Sequence, residues 1–293
     1  MAVTVRPRRS VLYMPGSNAR ALEKGRSLGA DAIIMDLEDA VSPDAKGEAR
    51  AQVLAALAEG GYGSRELVVR VNGLTTPWGV DDLAAAATSG AHAVLLPKVG
   101  GADMVEQAVA LMESNGAPDD LAVWCMMETP LGMLHAEEVA GAHARVACLV
   151  MGTSDLAKDL HAAHTRERLP MLTSLSLCLL AARAHDIAIV DGVHLDLADD
   201  EGFAYSCRQG LEMGFDGKTL IHPKTIDVAN EVFAPSADAV AWAKRIIEAH
   251  GEATAAGQGV VLVDGQLIEN LHVEAAHRLV SLSDAIAASA TTE

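Results

Sequence analysis

The chain has 293 residues, enough for one large domain or two small ones and compatible with a single α/β barrel carrying an appendage. Its 22 Lys and Arg against 40 Asp and Glu leave a formal net charge of −18, which disfavours generic nucleic-acid binding because neutralising phosphates needs clustered cations. Half the residues are hydrophobic and 3% are aromatic, too apolar for a disordered chain and too poor in rings for a base-stacking RNA module.

The basic start, Met1 to Arg9, is followed by no apolar stretch of signal-peptide type, and no uncharged apolar run of about 18 residues occurs anywhere. The expectation is a soluble, cytoplasmic protein with no membrane partner. Short apolar runs then recur along the chain: Val11 to Met14, Ala32 to Leu37, Leu67 to Val71, Ala93 to Leu96, Ala122 to Met127, Ala147 to Met151, Ile187 to Val190 and Thr219 to Ile221. Stretches of helical period separate them, such as Asp44 to Leu57 and Pro170 to His185. Strands alternating with helices give a parallel sheet, and a strand buried on both faces reads as a continuous apolar run. Eight such units close into a TIM (β/α)8 barrel, although a doubly wound sheet shares the alternation. Gly29, Gly90 and Gly214 each stand shortly before a run, where left-handed helix C-caps are expected.

The pattern changes after Pro223. Residues 224–251 read as helix, Val260 to Ile268 as a hairpin turning at Asp264-Gly265, and Asn270 to Ala288 as a last helix. The division expected is a catalytic barrel over 1–223 and a C-terminal helical and hairpin extension over 224–293, acting as a lid or oligomer arm. The cysteines Cys125, Cys148, Cys178 and Cys207 contain no Cys-x-x-Cys pair and read as buried reduced thiols.

In a TIM barrel the active site lies at the C-terminal ends of the strands, and here those ends are charged. The second run ends in Asp36-Leu37-Glu38-Asp39, the third in Arg70-Val71-Asn72-Gly73, the fourth in Pro97-Lys98, the fifth in Glu128-Thr129-Pro130, the sixth in Gly152-Thr153-Ser154-Asp155 and the seventh in Asp191-Gly192. Each acid could simply cap the helix that follows it. Carboxylates converging on one mouth repel unless a cation sits among them, and hard oxygen donors with no organised His or Cys set favour Mg2+, with Mn2+ as the alternative, over zinc. His161 and His164 lie in a polar, loop-like segment and read as no metal site.

These motifs, with Arg9-Ser10-Val11-Leu12-Tyr13-Met14-Pro15-Gly16-Ser17, Leu96-Pro97-Lys98-Val99, Glu128-Thr129-Pro130-Leu131-Gly132 and Gly217-Lys218-Thr219-Leu220-Ile221-His222-Pro223-Lys224, stand in order at the ends of the expected strands. Together they resemble the citrate-lyase β-subunit-like branch of the HpcH/HpaI aldolase superfamily, from about Arg9 to Ala288. That branch includes malyl-CoA and citramalyl-CoA lyases and (3S)-malyl-CoA thioesterases. The resemblance implies that Glu128 and Asp155 ligate Mg2+, that Glu38 and Asp39 hold waters on the metal, and that Arg70 binds the oxygens of the acid portion. Its planar fork suits a carboxylate or a developing alkoxide better than a lysine would. Tyr13, Arg20 and Lys24 match the segment that binds coenzyme A, which enters as part of the substrate. Asn18 departs from the arginine that some lyases carry there, and Arg20 is the expected substitute. His222 matches a position close to the coenzyme A arm.

The resemblance implies first a lyase that cleaves the C–C bond of a 3-hydroxyacyl-CoA such as malyl-CoA or citramalyl-CoA, leaving an acetyl-CoA enolate to be protonated. In the lyases the acid is an aspartate after the C-terminal hairpin, delivered by a neighbouring subunit. Here the aligned stretch is Leu267-Ile268-Glu269-Asn270, and Glu269 moves the carboxyl group by about one methylene. The alternative is a thioesterase in which Glu269 activates water, and Glu269-Asn270-Leu271-His272 looks more like that branch. A third possibility is a citrate lyase subunit that needs an acyl-carrier partner. The first two imply a homo-oligomer, trimer or hexamer, whose C-terminal arm completes a neighbour's site.

Overall fold

The computed structural model describes residues 6–290 and contains the eight strands that the apolar runs predict. They are β1 (Ser10–Pro15), β2 (Ala32–Asp36), β3 (Glu66–Arg70), β4 (Ala93–Leu96), β5 (Ala122–Met127), β6 (Val146–Met151), β7 (Ala188–Asp191) and β8 (Gly217–Leu220). Every neighbouring pair is parallel, and β1 closes on β8 with Ser10 opposite Lys218 and Leu12 opposite Leu220. Closure decides for the TIM barrel, since a doubly wound sheet keeps two open edges.

Side-chain alternation divides each strand between two environments. Val11, Ile34, Val68, Leu95 and Trp124 fill the barrel interior, while Leu12, Ile33, Val69, Val94 and Val123 pack under the helices. Both sets are buried, which is why the runs are continuous. Gly90 and Gly214 take left-handed φ angles of 80° and 104°, as expected of glycines that turn the chain back toward a strand. Gly29 does not, because the helix Ala19–Gly25 has already ended at Arg26. The four cysteines are free and buried.

The chain divides into two compact units, one spanning Arg8–Phe233 and the other containing the C-terminal segment from Ala234. The first unit thus runs past residue 223, because the helix Ile226–Phe233 packs on β1 and β8 as the eighth barrel helix. The single helix expected over 224–251 is two helices, Ile226–Phe233 and Ala237–Ala255, parted at Pro235. Proline disfavours helical geometry in the residue before it, and Ser236 then caps the new helix by accepting from Ala239 N.

The second unit contains the expected hairpin. Strands β9 (Val261–Val263) and β10 (Gln266–Ile268) pair antiparallel about Asp264 and Gly265, whose φ angles of 47° and 82° are those of a type I′ turn. Ala243 and Ile246 of one helix and Val273 and Ala276 of the last helix, Asn270–Ala290, pack with Ile268 into a small core. Among the described residues, no helix is long and apolar enough to cross a membrane.

Candidate active site

The register between β2 and β3 sets Asp36 opposite Arg70 at the C-terminal rim of the barrel. Arg70 Nε and Nη2 donate to the two Asp36 oxygens at 2.7 and 2.6 Å, a bidentate pair in which both residues are buried. Asp36 also accepts from the backbone N–H groups of Glu38 and Ala40, so the same carboxylate shapes the turn after β2. The remaining terminal nitrogen, Nη1, lies 2.9 Å from Glu38 Oε2 and 3.8 Å from Asp39 Oδ2. The guanidinium sits 5.0 Å from the centre of the Tyr13 ring, whose hydroxyl meets Met126 Sδ at 3.4 Å. Burial opposes the Arg70 charge, but the Asp36 hydrogen bonds and charge outweigh it and hold the guanidinium above its ordinary range. Burial likewise pushes the Tyr13 hydroxyl up, so it stays protonated.

A second cluster joins the ends of β4, β5 and β6. Glu128, 2% exposed, accepts from Lys98 N at 2.8 Å. Lys98 adopts a left-handed φ of 52° and sends its ammonium back across the mouth. Nζ lies 2.5 Å from Asp155 Oδ2, 3.5 Å from Glu38 Oε1 and 3.8 Å from Glu128 Oε1. Burial lifts the Glu128 carboxyl to about 7 against the pull of Lys98. Burial raises Glu38 as well, with the Asp39 charge adding to it and Arg70 opposing. Asp155 is the exception: burial would raise it, but Lys98 and Lys158 outweigh that and hold it below the usual range.

The donor set suits a hard cation. It consists of oxygens, and burial keeps Glu128 and Glu38 raised even with Lys98 and Arg70 beside them. Glu38 Oε2, though near Arg70 Nη1, has no hydrogen bond of proper direction, and Ser154 Oγ is buried without a partner among the described residues. Gly152 opens the space beside Glu128, since a Cβ there would lie 2.4 Å from Glu128 Cβ and 2.5 Å from Oε2. Among the described residues no three His, Cys, Asp or Glu side chains converge as a metal cage, so the chain offers an acid pair rather than a full coordination shell. Glu128, Asp155, Arg70, Asp36 and Tyr13 border one cavity of about 350 Å3.

Of the other residues singled out in the sequence, Arg20, Lys24 and His222 are not among those that border this cavity. Arg20 and Lys24 are exposed on the helix Ala19–Gly25, and Asn18 is its N-cap, accepting from Ala21 N. Tyr13 lies in the cavity against Arg70 rather than with these two cations. His222 is exposed and accepts from Lys224 N through Nδ1. Glu269 belongs to the C-terminal unit, exposed immediately before the last helix, where its backbone N–H donates to His272 Nδ1. Asp191 ends β7 as Asp36 ends β2, yet it faces the outer helix layer, within 3.1 Å of where a Cβ on Gly210 would lie.

The model of the HpcH/HpaI aldolase/citrate lyase family matches residues 9–223. The chain belongs to this family. It is 50% identical to a (3S)-malyl-CoA thioesterase of Cereibacter sphaeroides over 98% of this chain and 99% of that one. It is 33% identical to an L-malyl-CoA/beta-methylmalyl-CoA lyase of the same species, covering 98% of each. Among solved structures, CitE of Mycobacterium tuberculosis in complex with magnesium, acetoacetate and coenzyme A superposes with a TM-score of 0.75 at 27% identity, over 96% of this chain and all of that one.

Sequence reasoning placed Lys98 and Asp36 inside family motifs but gave neither a role. The signal for Asp36 was available: parallel strands of equal length that end in an acid and an arginine bring the two side by side. Lys98 gave no such signal, because its three partners lie at positions 38, 128 and 155.

Proposed function

We propose that this family member hydrolyses the thioester of a 3-hydroxyacyl-CoA of the (3S)-malyl type, releasing coenzyme A and the hydroxy acid. The observation that carries this reading is the end-to-end identity with the thioesterase, well above that with the lyase of the same species. It is supported by the glutamate at position 269 and sets the thioesterase ahead of the C–C lyase that the strand-end motifs put first.

Glu128 and Asp155 would hold Mg2+, which supplies positive charge to the carboxylate and hydroxyl oxygens of the acid portion. Arg70 binds the same portion through Nη1, the terminal nitrogen that lies outside the Asp36 pair and beside Glu38. Asp36 and the Tyr13 face keep the guanidinium from swinging, so its direction is set before substrate arrives. Glu38 and Asp39 orient polar groups around the acid pair. Arg20, Lys24 and His222 attend the coenzyme A arm. Glu269, contributed by the C-terminal unit of a neighbouring subunit in a homo-oligomer, takes a proton from water as its oxygen adds to the thioester carbon. The C–S bond then breaks and the sulfur leaves as the thiol with that proton.

Incubating the purified protein with (3S)-malyl-CoA and Mg2+ tests the proposal. Free thiol and malate in equal amounts are expected. Acetyl-CoA and glyoxylate would overturn it in favour of the lyase, and absence of turnover would point to a carrier-dependent subunit.

A further inference from the structure

A second cavity, of about 300 Å3, lies within the barrel unit beside the reaction cavity and shares Thr153, Val193 and Leu195 with it. Arg168, His194, Met171 and Ser206 also line it. Arg168 ties it to a buried ion cluster. The register between β7 and β8 sets Asp191 opposite Lys218, and Lys218 Nζ donates to Asp191 Oδ2 at 2.8 Å. Arg168 Nη1 reaches both Asp191 oxygens at 2.7 Å, while its Nε donates to Gln209 Oε1.

Two cations thus share one carboxylate away from water. Burial pushes Lys218 below its usual range, and the Arg168 charge adds to that push against Asp191. Arg168 Nη2 and His194 Nε2 are both buried without a hydrogen-bond partner among the described residues. An unpaired buried guanidinium N–H is costly, so Arg168 Nη2 lacks an acceptor that the cavity beside it could hold, whereas His194 already bonds the Asp196 backbone, and burial and the Lys218 charge hold its imidazole below its ordinary range. Asp196 and Asp199 also line this cavity as exposed carboxylates; Asp199 Oδ1 accepts from Gly202 N and Asp196 Oδ1 from Ala198 N, and both charges favour a protonated His194.

We infer that this cavity, which adjoins the reaction cavity, is a second anion site that takes a small organic carboxylate through Arg168 Nη2, with His194 protonated on Nε2 to meet it. The lining decides the class of ligand. Met171, Val193 and Leu195 stand among the polar groups, so a short hydrocarbon chain covers them while its carboxylate meets the nitrogens, whereas inorganic phosphate leaves them bare. The volume is at the lower end of ligand pockets and excludes a whole coenzyme A. The site does not depend on whether the enzyme is a thioesterase or a lyase.

Calorimetric titration of the full-length protein with succinate tests the inference, with inorganic phosphate and coenzyme A titrated separately. Succinate is expected to bind one-to-one. His194→Leu and Arg168→Gln should each weaken it roughly tenfold or more, as expected for loss of a charge-assisted hydrogen bond. Arg70→Lys should leave it unchanged. His194→Leu leaves the Arg168–Asp191 pair intact, so the test survives if Arg168→Gln does not fold. Absence of succinate binding at millimolar concentration overturns the inference, as does binding that responds to Arg70→Lys and not to His194→Leu. Phosphate or coenzyme A binding more tightly than succinate, with the same response to His194→Leu, would overturn the carboxylate assignment.

Discussion

Arg70→Lys preserves charge and approximate length, so it isolates what the fork geometry contributes. The guanidinium makes two hydrogen bonds to Asp36 and presents Nη1 to the cavity, while a lysine has one nitrogen to divide between these tasks. If the ammonium stays with Asp36, the substrate loses a charge-assisted hydrogen bond. If it turns to the substrate, Asp36 loses its buried partner. Either loss is worth about 1.5–3 kcal/mol, which at 1.36 kcal/mol per tenfold is roughly a ten- to hundredfold fall in kcat/KM. Thiol release from malyl-CoA measures it, and thermal unfolding separates the effect from a loss of folded protein. A variant within about twofold of wild type would exclude a role for the fork, because a point charge would then do all that it does.

Four further outcomes are expected. Exhaustive chelation, Glu128→Gln and Asp155→Asn should each abolish turnover with little change in Tm, because rim residues contribute little to the core; full activity after chelation would reject a metal at the acid pair. Gly152→Ala should drive Glu128 aside and cut activity as severely as Glu128→Gln, and an active variant would show that the close approach is relieved elsewhere. Asp191→Asn should cost about 3–5 kcal/mol at pH 7 by stranding Lys218 and Arg168. Burial would raise the Asp191 carboxyl, but Lys218 and Arg168 outweigh it and hold it low, so this stabilisation is present above the ordinary Asp range and lost as pH falls through the depressed native value. The Tm gap between wild type and variant should therefore close in acid, and a gap constant with pH would contradict this. Mixing inactive Asp155→Asn and Glu269→Ala proteins and letting subunits exchange should restore activity if Glu269 acts across a subunit boundary; verified exchange without activity would place it elsewhere.

The strands were legible because burial on both faces writes itself as an uninterrupted apolar run, and β4 and β5 match their runs residue for residue. The same continuity hides which face the last residue takes. Asp36 and Asp191 both close such runs, yet one faces the mouth and the other the helices. Parity is visible only once neighbours are placed: Ile34 and Val190 both lie in the interior, one two residues and the other one residue before its acid. The acids of the mouth could be picked out by their place after the strands. The lysine that bridges them could not, since its contacts span more than a hundred positions. Pro235 was readable as a helix break, and the continuous helix expected over 224–251 passed over it.

The pairing of β1 with β8 also sets the order in which the molecule can be made. Ser10 has no partner on that side until Lys218 has been synthesised, some 200 residues later. At about 5–20 residues per second, the first strand waits roughly 10–40 s with one edge open. Closing a loop of that length costs on the order of 3.5 kcal/mol more entropy than closing one of four residues. The expected order is assembly outward from local β–α–β contacts with closure last, and the open edge of β1 is then the surface through which an unfinished chain would aggregate.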